Sequence, residues 1–99
     1  MPPREPRTYY TYIMGSRSGV IYIGITSNLM ARVCQHKTGV VPGFTSRYRV
    51  TRLLLFEEFG HPTEAIEREK ELKGWLRAKK LNLVRSKNPK WEDLSADWF

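Results

Sequence analysis

The chain has 99 residues, of which 40% are hydrophobic and 27% are charged, a balance that fits one globular domain and excludes a disordered chain. Its apolar stretches are too short to cross a bilayer, its first residues hold no apolar export segment, and its single cysteine, Cys34, excludes an internal disulfide and a cysteine-rich zinc site, so we expect a cytoplasmic protein. The 17 basic and 10 acidic residues give a net charge of +7, which indicates a polyanionic partner such as nucleic acid, with a solvated basic helix face as the alternative.

The first predicted element is a β-hairpin that follows a proline-rich leader. Residues 1–7 form this leader, which we expect to be flexible within a single domain spanning residues 1–99. Residues 9–14 and 20–25 are rich in aromatic and β-branched side chains, and the segment 15–19 between them contains the turn residues glycine and serine. This pattern predicts two strands joined by a tight turn.

A helix and a loop are predicted after the hairpin. Ser27 or Asn28 is placed to cap a helix over residues 29–37, and Thr38-Gly39 is placed to end it. Residues 40–48 contain proline and glycine, so we expect them to form a loop.

The second half of the chain predicts one more strand and further helix. Residues 50–59 are typical of a strand, and the segment His61-Pro62-Thr63 leads into a helix that continues to about Arg85 with a break near Gly74. Residues 91–99 form an acidic, aromatic tail. The predicted order is β-β-α-β-α-α, an α+β fold in which helices pack on a small antiparallel sheet.

The second strand places the side chain of Tyr22 beside Gly24, a residue without a side chain. Because successive side chains of a strand point to opposite faces, Ile21, Ile23 and Ile25 share one face and are expected in the core. Tyr22 and Gly24 share the other face, an arrangement that suits the close approach of a ligand. A surface tyrosine beside a kink in the sheet is the alternative.

The first helix carries two polar residues on its apolar side. Leu29, Arg32, Val33 and His36 follow the spacing of one helix face. The position of Arg32 on this face has a simple structural explanation: its aliphatic stem packs at the edge of the core while its charged end reaches water.

The second helix carries a carboxylate on its apolar side. Ala65, Leu72 and Leu76 form the apolar stripe, and Glu69 projects between them. The other acids of this helix point elsewhere: Glu64, Glu67 and Glu71. A carboxylate on a core-facing stripe needs a compensating partner, either a salt bridge to Arg32 or a divalent metal ion that prefers oxygen ligands.

These candidates occur in the order of a known motif set: Tyr10-Thr11-Tyr12, then Tyr22-Ile23-Gly24, then Arg32 and His36, then Glu69. The chain thereby resembles the GIY-YIG nuclease superfamily over most of its length. Within that superfamily it is similar to the small stand-alone bacterial proteins of the YhbQ-like group. Four segments carry this similarity: residues 22–29, 41–45, 65–70 and 88–94.

The resemblance implies a three-stranded antiparallel sheet flanked by helices, and a metal-dependent endonuclease that cleaves phosphodiester bonds in DNA during repair or recombination. It also implies a role for each motif residue: Tyr12 and Tyr22 as the motif tyrosines, Arg32 as the helical arginine, His36 near the scissile phosphate, and Glu69 as the ligand of Mg²⁺ or Mn²⁺. The chain departs from the family in the first motif, where Tyr10-Thr11 replaces Gly-Ile without removing a reactive group. A downstream asparagine of some relatives has two candidate counterparts, Asn82 and Asn88.

The implied mechanism leaves the general base open. Glu69 would hold a metal ion that supplies positive charge at the leaving oxygen, and the Arg32 guanidinium would pair with the phosphate. Either Tyr12 or Tyr22 orients or deprotonates the attacking water, and His36 is an alternative proton relay. A tyrosine acts as a base only where nearby cations favour its phenolate, because its ordinary pKa is about 10.

Contacts to the DNA backbone are expected from eight basic residues: Lys37, Arg47, Arg49, Lys70, Lys73, Arg77, Lys79 and Lys80. We expect the domain to be a monomer. Two other functions are kept as alternatives, a catalytically silent nucleic-acid-binding module and a protein-interaction domain that uses the aromatic tail. We expect the tail residues Trp91, Trp98 and Phe99 to cover the core of their own chain instead.

Overall fold

The structure, a computed structural model, describes residues 7–39 and 47–99. Its elements follow the order β1 (Tyr9–Gly15), β2 (Ile21–Thr26), α1 (Leu29–Thr38), β3 (Arg52–Phe59), α2 (Pro62–Gly74) and α3 (Arg77–Lys87). The predicted α+β fold with its β-β-α-β-α-α order is therefore confirmed. The predictions for residues 1–6 of the leader and 40–46 of the loop lie outside the described residues. Within the described ranges, no helix is long and apolar enough to span a membrane.

The three strands form one antiparallel sheet in the order β2-β1-β3. The central strand, β1, pairs Tyr12 with Gly24 of β2 on one side and with Phe56 of β3 on the other. The pairing with β3 shifts between Ile13 and Met14, an irregularity that locally bends and twists the strand. Because β1 lies between β2 and β3, its side chains form the centre of the domain.

A hydrophobic core lies on each face of the sheet, because side chains alternate along the strands. The core on the α1 side contains Tyr12, Met14, Leu29, Val33, Val50 and Leu53. The core on the side of α2 and α3 contains Ile13, Ile23, Leu54, Leu55, Leu72 and Val84. The helices are thus held on opposite faces of a sheet only three strands wide.

Local signals explain where the first helix begins and ends. The Asn28 side chain accepts a hydrogen bond from the backbone nitrogen of Ala31 at 3.1 Å, so Asn28 rather than Ser27 is the N-cap. Gly39 ends the helix with φ of 70°, a left-handed conformation that glycine adopts without a Cβ penalty. Both findings agree with the predicted helix boundaries.

Two core predictions need correction. Leu76 was expected on the apolar stripe of the second helix, but it is 83% exposed. It lies in the short connection between α2 and α3 as the N-cap of α3, so the buried stripe of α2 ends at Leu72. Of the three isoleucines expected in the core, Ile23 is buried, whereas Ile21 and Ile25 are only half-buried because β2 is an edge strand.

The tail packs back onto both cores. The indole Nε1 of Trp91 donates to the Ser16 carbonyl at 2.9 Å, and Trp98 packs edge-to-face on Phe56 at a centroid distance of 6.3 Å. Asp93 accepts a hydrogen bond from the Leu53 backbone nitrogen at 3.0 Å. The expectation that Trp91 and Trp98 cover the chain's own core is confirmed, while Phe99 is 62% exposed.

Candidate active site

A buried phenol and a buried imidazole form the floor of the site. The Tyr12 hydroxyl lies 3.0 Å from His36 Nε2, and the two residues are only 1% and 2% exposed. Gly24 makes room for this pair, because a Cβ at that position would lie 2.6 Å from the Tyr12 hydroxyl. The close approach predicted at Gly24 is therefore made by Tyr12 of the neighbouring strand and not by a ligand.

A second phenol stands beside this pair. The Tyr22 ring lies 5.3 Å from the His36 ring and 6.3 Å from the Tyr12 ring, measured between centroids. Tyr22 is half-buried, whereas Tyr12 and His36 are buried. Of the two motif tyrosines, Tyr22 is therefore the one with a surface open to solvent.

Burial keeps the floor of the site uncharged. It raises the pKa of Tyr12 well above the ordinary value of 10.0, an effect that nearby Tyr22 and Glu69 reinforce and that Arg32 opposes. Burial also lowers the pKa of His36, and the positive charge of Arg32 lowers it further. Tyr12 and His36 are thus both neutral at pH 7 in the metal-free protein.

The two charged candidates, Arg32 and Glu69, influence the ring cluster through their charges. Arg32 lies on α1 one helical turn before His36, and its charge acts on both buried rings. Glu69 lies on α2, and its charge acts on the Tyr12 phenol. The charges of Arg32 and Glu69, which lie on helices that pack on opposite faces of the sheet, therefore both act on the Tyr12 phenol.

Glu69 has a weak partner. Its side chain is 20% exposed, and its Oε1 lies 3.5 Å from Lys73 Nζ one turn along the helix. Within residues 7–39 and 47–99, no salt bridge joins Glu69 to Arg32, so the expected alternative of a structural Arg32–Glu69 pair is not what the structure has. Lys73 is an exposed i,i+4 partner of the kind that adds little stability.

The donor set around Glu69 fits only a hydrated hard cation. Among the described residues, no group of three or more histidine, cysteine, aspartate or glutamate side chains is placed to hold a metal ion. A metal at Glu69 would have one carboxylate from the protein and would take its other ligands from water and phosphate. Mg²⁺ accepts such a set, because it dehydrates reluctantly and is commonly held by one or two carboxylates plus substrate phosphates.

Of the predicted DNA-contacting residues of α2 and α3, Lys73 and Lys80 lie beside Tyr22. Lys73 and Lys80 line one side of a cavity of about 270 Å³ whose other side includes Tyr22. Lys79 lies over the Trp75 ring with its Nζ 4.1 Å from the centroid, and Lys70 is exposed. Arg77, also exposed, donates to the Gly19 carbonyl in the turn between β1 and β2.

The other predicted contacts are more scattered. Lys37 forms a salt bridge with Asp93 of the tail, so its charge is already paired within the fold. Arg47 and Arg49 are exposed, and the Arg47 guanidinium lies over the Tyr48 ring at 5.5 Å. None of these three residues lines the cavity beside Tyr22.

The electrostatics of His36 make a testable prediction. Its folded-state pKa is lowered, so the neutral imidazole stabilises the fold above the unfolded-state pKa of 6.5, and this stability is lost as the pH falls through the folded pKa. An NMR titration of the imidazole is expected to give a midpoint below 6.5. Arg32→Ala is expected to raise that midpoint, whereas Arg85→Ala leaves it unchanged. A midpoint at or above 6.5 in the unmodified chain would contradict this environment.

Comparison with known proteins identifies relatives of this architecture. The GIY-YIG catalytic domain family matches residues 8–82. A UPF0213 protein of Staphylococcus haemolyticus is 33% identical over 76 residues, which cover 77% of this chain and 93% of that protein. A UPF0213 protein of Staphylococcus aureus is 31% identical over 80 residues, covering 81% of this chain and 98% of that protein. The solution NMR structure of a UPF0213 protein from Bacillus halodurans superimposes with a TM-score of 0.57 at 28% identity, over 91% of this chain and 97% of that one.

Proposed function

This chain belongs to the GIY-YIG catalytic domain family, a family of nucleases, and on that premise we propose that it is a metal-dependent endonuclease that hydrolyses phosphodiester bonds in DNA. One observation carries the proposal: Tyr12, Tyr22 and His36 form a single ring cluster that is coupled electrostatically to Arg32 and, through Tyr12, to Glu69. A purely structural cluster does not require a guanidinium and a carboxylate whose charges both act on one buried phenol.

Glu69 is the residue that would hold the metal ion, Mg²⁺ or Mn²⁺, together with water and phosphate oxygens. When bound, the metal supplies positive charge that stabilises the leaving oxygen as its bond to phosphorus breaks. The partial burial of Glu69 supports this role, because among the described residues its salt bridge is to the exposed Lys73, which compensates a half-buried carboxylate weakly.

Arg32 is proposed to bind the scissile phosphate. A guanidinium presents parallel N–H donors that match two non-bridging phosphate oxygens, and its charge does not depend on pH in the physiological range. Within the described part of the chain, no salt bridge occupies Arg32. It can therefore stabilise the additional charge that the phosphate carries in the transition state.

Tyr22 is proposed to orient the attacking water. Hydrolysis requires the water oxygen to approach phosphorus opposite the leaving oxygen while that bond breaks. Tyr22 is the motif tyrosine with exposed surface, whereas Tyr12 is 1% exposed and held protonated by burial. Tyr12 and His36 then act as positioning residues, since their 3.0 Å hydrogen bond fixes the rings against which Tyr22 packs.

Metal-dependent cleavage tests this proposal directly. The chain is incubated with labelled duplex, single-stranded and branched DNA in Mg²⁺, in Mn²⁺ or in EDTA, and the products are resolved by denaturing electrophoresis. We expect internal strand cleavage that requires the metal, with branched DNA preferred if the protein acts in repair or recombination. DNA binding without cleavage of any substrate in either metal would identify a catalytically silent binding module instead.

A further inference from the structure

A second cavity, lined by basic residues, lies near the C-terminal end of β1, three residues beyond Tyr12. Its volume is about 510 Å³, and its lining includes four arginines together with Trp91. The arginines come from three parts of the fold: Arg17 from the β1–β2 turn, Arg52 from the start of β3, and Arg77 and Arg85 from α3. Among the described residues, no carboxylate lines this cavity.

The fold itself positions two of the four guanidinium groups. Arg52 Nη1 donates to the Trp91 carbonyl at 3.1 Å, and Arg77 donates to the Gly19 carbonyl. These bonds use neutral acceptors, and no salt bridge within residues 7–39 and 47–99 involves any of the four arginines. Arg17 and Arg85 are exposed on the rim. Four like charges around one cavity repel one another, so a bound anion would lower the electrostatic free energy.

Phosphate is the anion that this chemistry favours. The planar guanidinium matches phosphate oxygens with two donors at once, and several guanidinium groups accommodate a group that carries more than one acceptor oxygen. Trp91 adds an aromatic wall whose indole nitrogen is already bonded to the Ser16 carbonyl, so the side chain is fixed. Because hydrogen bonds hold the Trp91 ring and the Arg52 and Arg77 guanidinium groups, these three side chains form a rigid site.

The cavity is separate from the catalytic cluster but continuous with the basic surface of α3. Tyr12 lies three residues before Gly15, and Gly15 lies against the Trp91 side chain. Three strand residues span roughly 10 Å, which is the axial rise of about three base pairs. Arg77 connects the two regions, because it lies three residues before Lys80 on α3. One nucleic acid strand can therefore reach both places.

We propose that this arginine cavity binds backbone phosphates of the nucleic acid substrate a few nucleotides away from the scissile bond. The inference rests on the proposed function in one respect, that nucleic acid is the substrate. Contacts of this kind fix the position and direction of the strand and carry no base preference. The cavity sets affinity, whereas the Tyr22, Arg32 and Glu69 cluster sets the rate of hydrolysis.

The test compares two double variants that remove the same charge. Arg17→Ala/Arg85→Ala removes the two rim arginines, and Arg7→Ala/Lys87→Ala removes two exposed bases outside the cavity. Each pair removes one base from the last turn of α3, so effects on the helix dipole are matched. Binding of a fluorescent duplex is measured by anisotropy in EDTA over a salt series, and thermal unfolding verifies that both variants fold.

We expect the rim variant to bind the duplex about tenfold more weakly near physiological salt, with a log–log salt slope that is shallower by about one to two. The control variant is expected to keep most of the unmodified affinity and slope. Equal losses of duplex affinity in the two variants would contradict the proposal. The same holds if the rim variant binds duplex normally and loses only its affinity for inorganic phosphate. Because binding is measured without metal, this result stands whether or not the chain cleaves DNA.

Discussion

Replacing Glu69 by alanine is expected to reduce metal-dependent cleavage by about two orders of magnitude, which corresponds to roughly 3 kcal/mol of transition-state stabilisation. The reason is that Glu69 is the proposed protein ligand of the metal and, within the described part of the chain, the carboxylate whose charge acts on the Tyr12 phenol. DNA affinity should be unchanged or higher, because the substitution removes a negative charge from a surface that faces phosphate. Cleavage and binding are measured on the same labelled substrate.

Glu67→Ala is the matched control for this experiment. Glu67 is an exposed residue of the same helix, so its replacement makes the same change in charge and composition away from the ring cluster. The Glu69–Lys73 contact at 3.5 Å is a surface i,i+4 pair, and its loss should change stability by less than about 1 kcal/mol. Full metal-dependent activity in Glu69→Ala, or an equal loss in Glu67→Ala, would remove Glu69 from the proposed site.

The sequence was sufficient for the fold because local signals agreed with one another. The strand composition of residues 20–25, the Asn28 cap and the Gly39 stop each depend on neighbours within a few residues, and the structure has a strand, a helix cap and a helix end at these places. The prediction for Leu76 was wrong because it, too, used only the spacing of nearby residues. Helical spacing extends the stripe of α2 past Gly74, but the chain leaves the helix at Trp75, so the next apolar residue faces solvent.

The site was predicted as a set of residues but not as an arrangement. Nothing local to Gly24 reveals that Tyr12 lies over it, because that contact depends on the register between β1 and β2. The uncharged state of Tyr12 likewise depends on burial by both neighbouring strands and α1. Charge counting also failed to separate Lys37, which is paired with Asp93, from lysines that are available to a ligand.

The arginine cavity likewise could not be predicted from the sequence. Arg17, Arg52 and Arg85 are far apart in the sequence, and nothing local to any of them indicates that they meet. Only the fold brings them together with Arg77 around Trp91. A net charge of +7 indicates a polyanionic partner, but it does not say where on the surface that partner lies.

Removal of residues 91–99 is expected to destabilise the domain by at least about 3 kcal/mol, which is a large part of the roughly 5–15 kcal/mol that holds a small domain together. The deletion takes away the Trp91 and Trp98 side chains that pack on the two cores. It also removes the hydrogen bonds of Asp93 to Leu53 and of the Glu92 backbone to the buried Asn88 side chain. Chemical denaturation followed by circular dichroism measures the loss.

Two single substitutions separate packing from recognition in the tail. Trp98→Ala removes a ring that packs on Phe56 and should lower the free energy of unfolding, whereas Phe99→Ala alters a side chain that is 62% exposed and should change it little. If the truncated chain unfolds at the same denaturant concentration as the full chain, the tail contributes no packing energy and this prediction is wrong. If it unfolds earlier, residues 91–99 belong to the catalytic domain, because they close both cores and hold Arg52 in place through the Trp91 carbonyl.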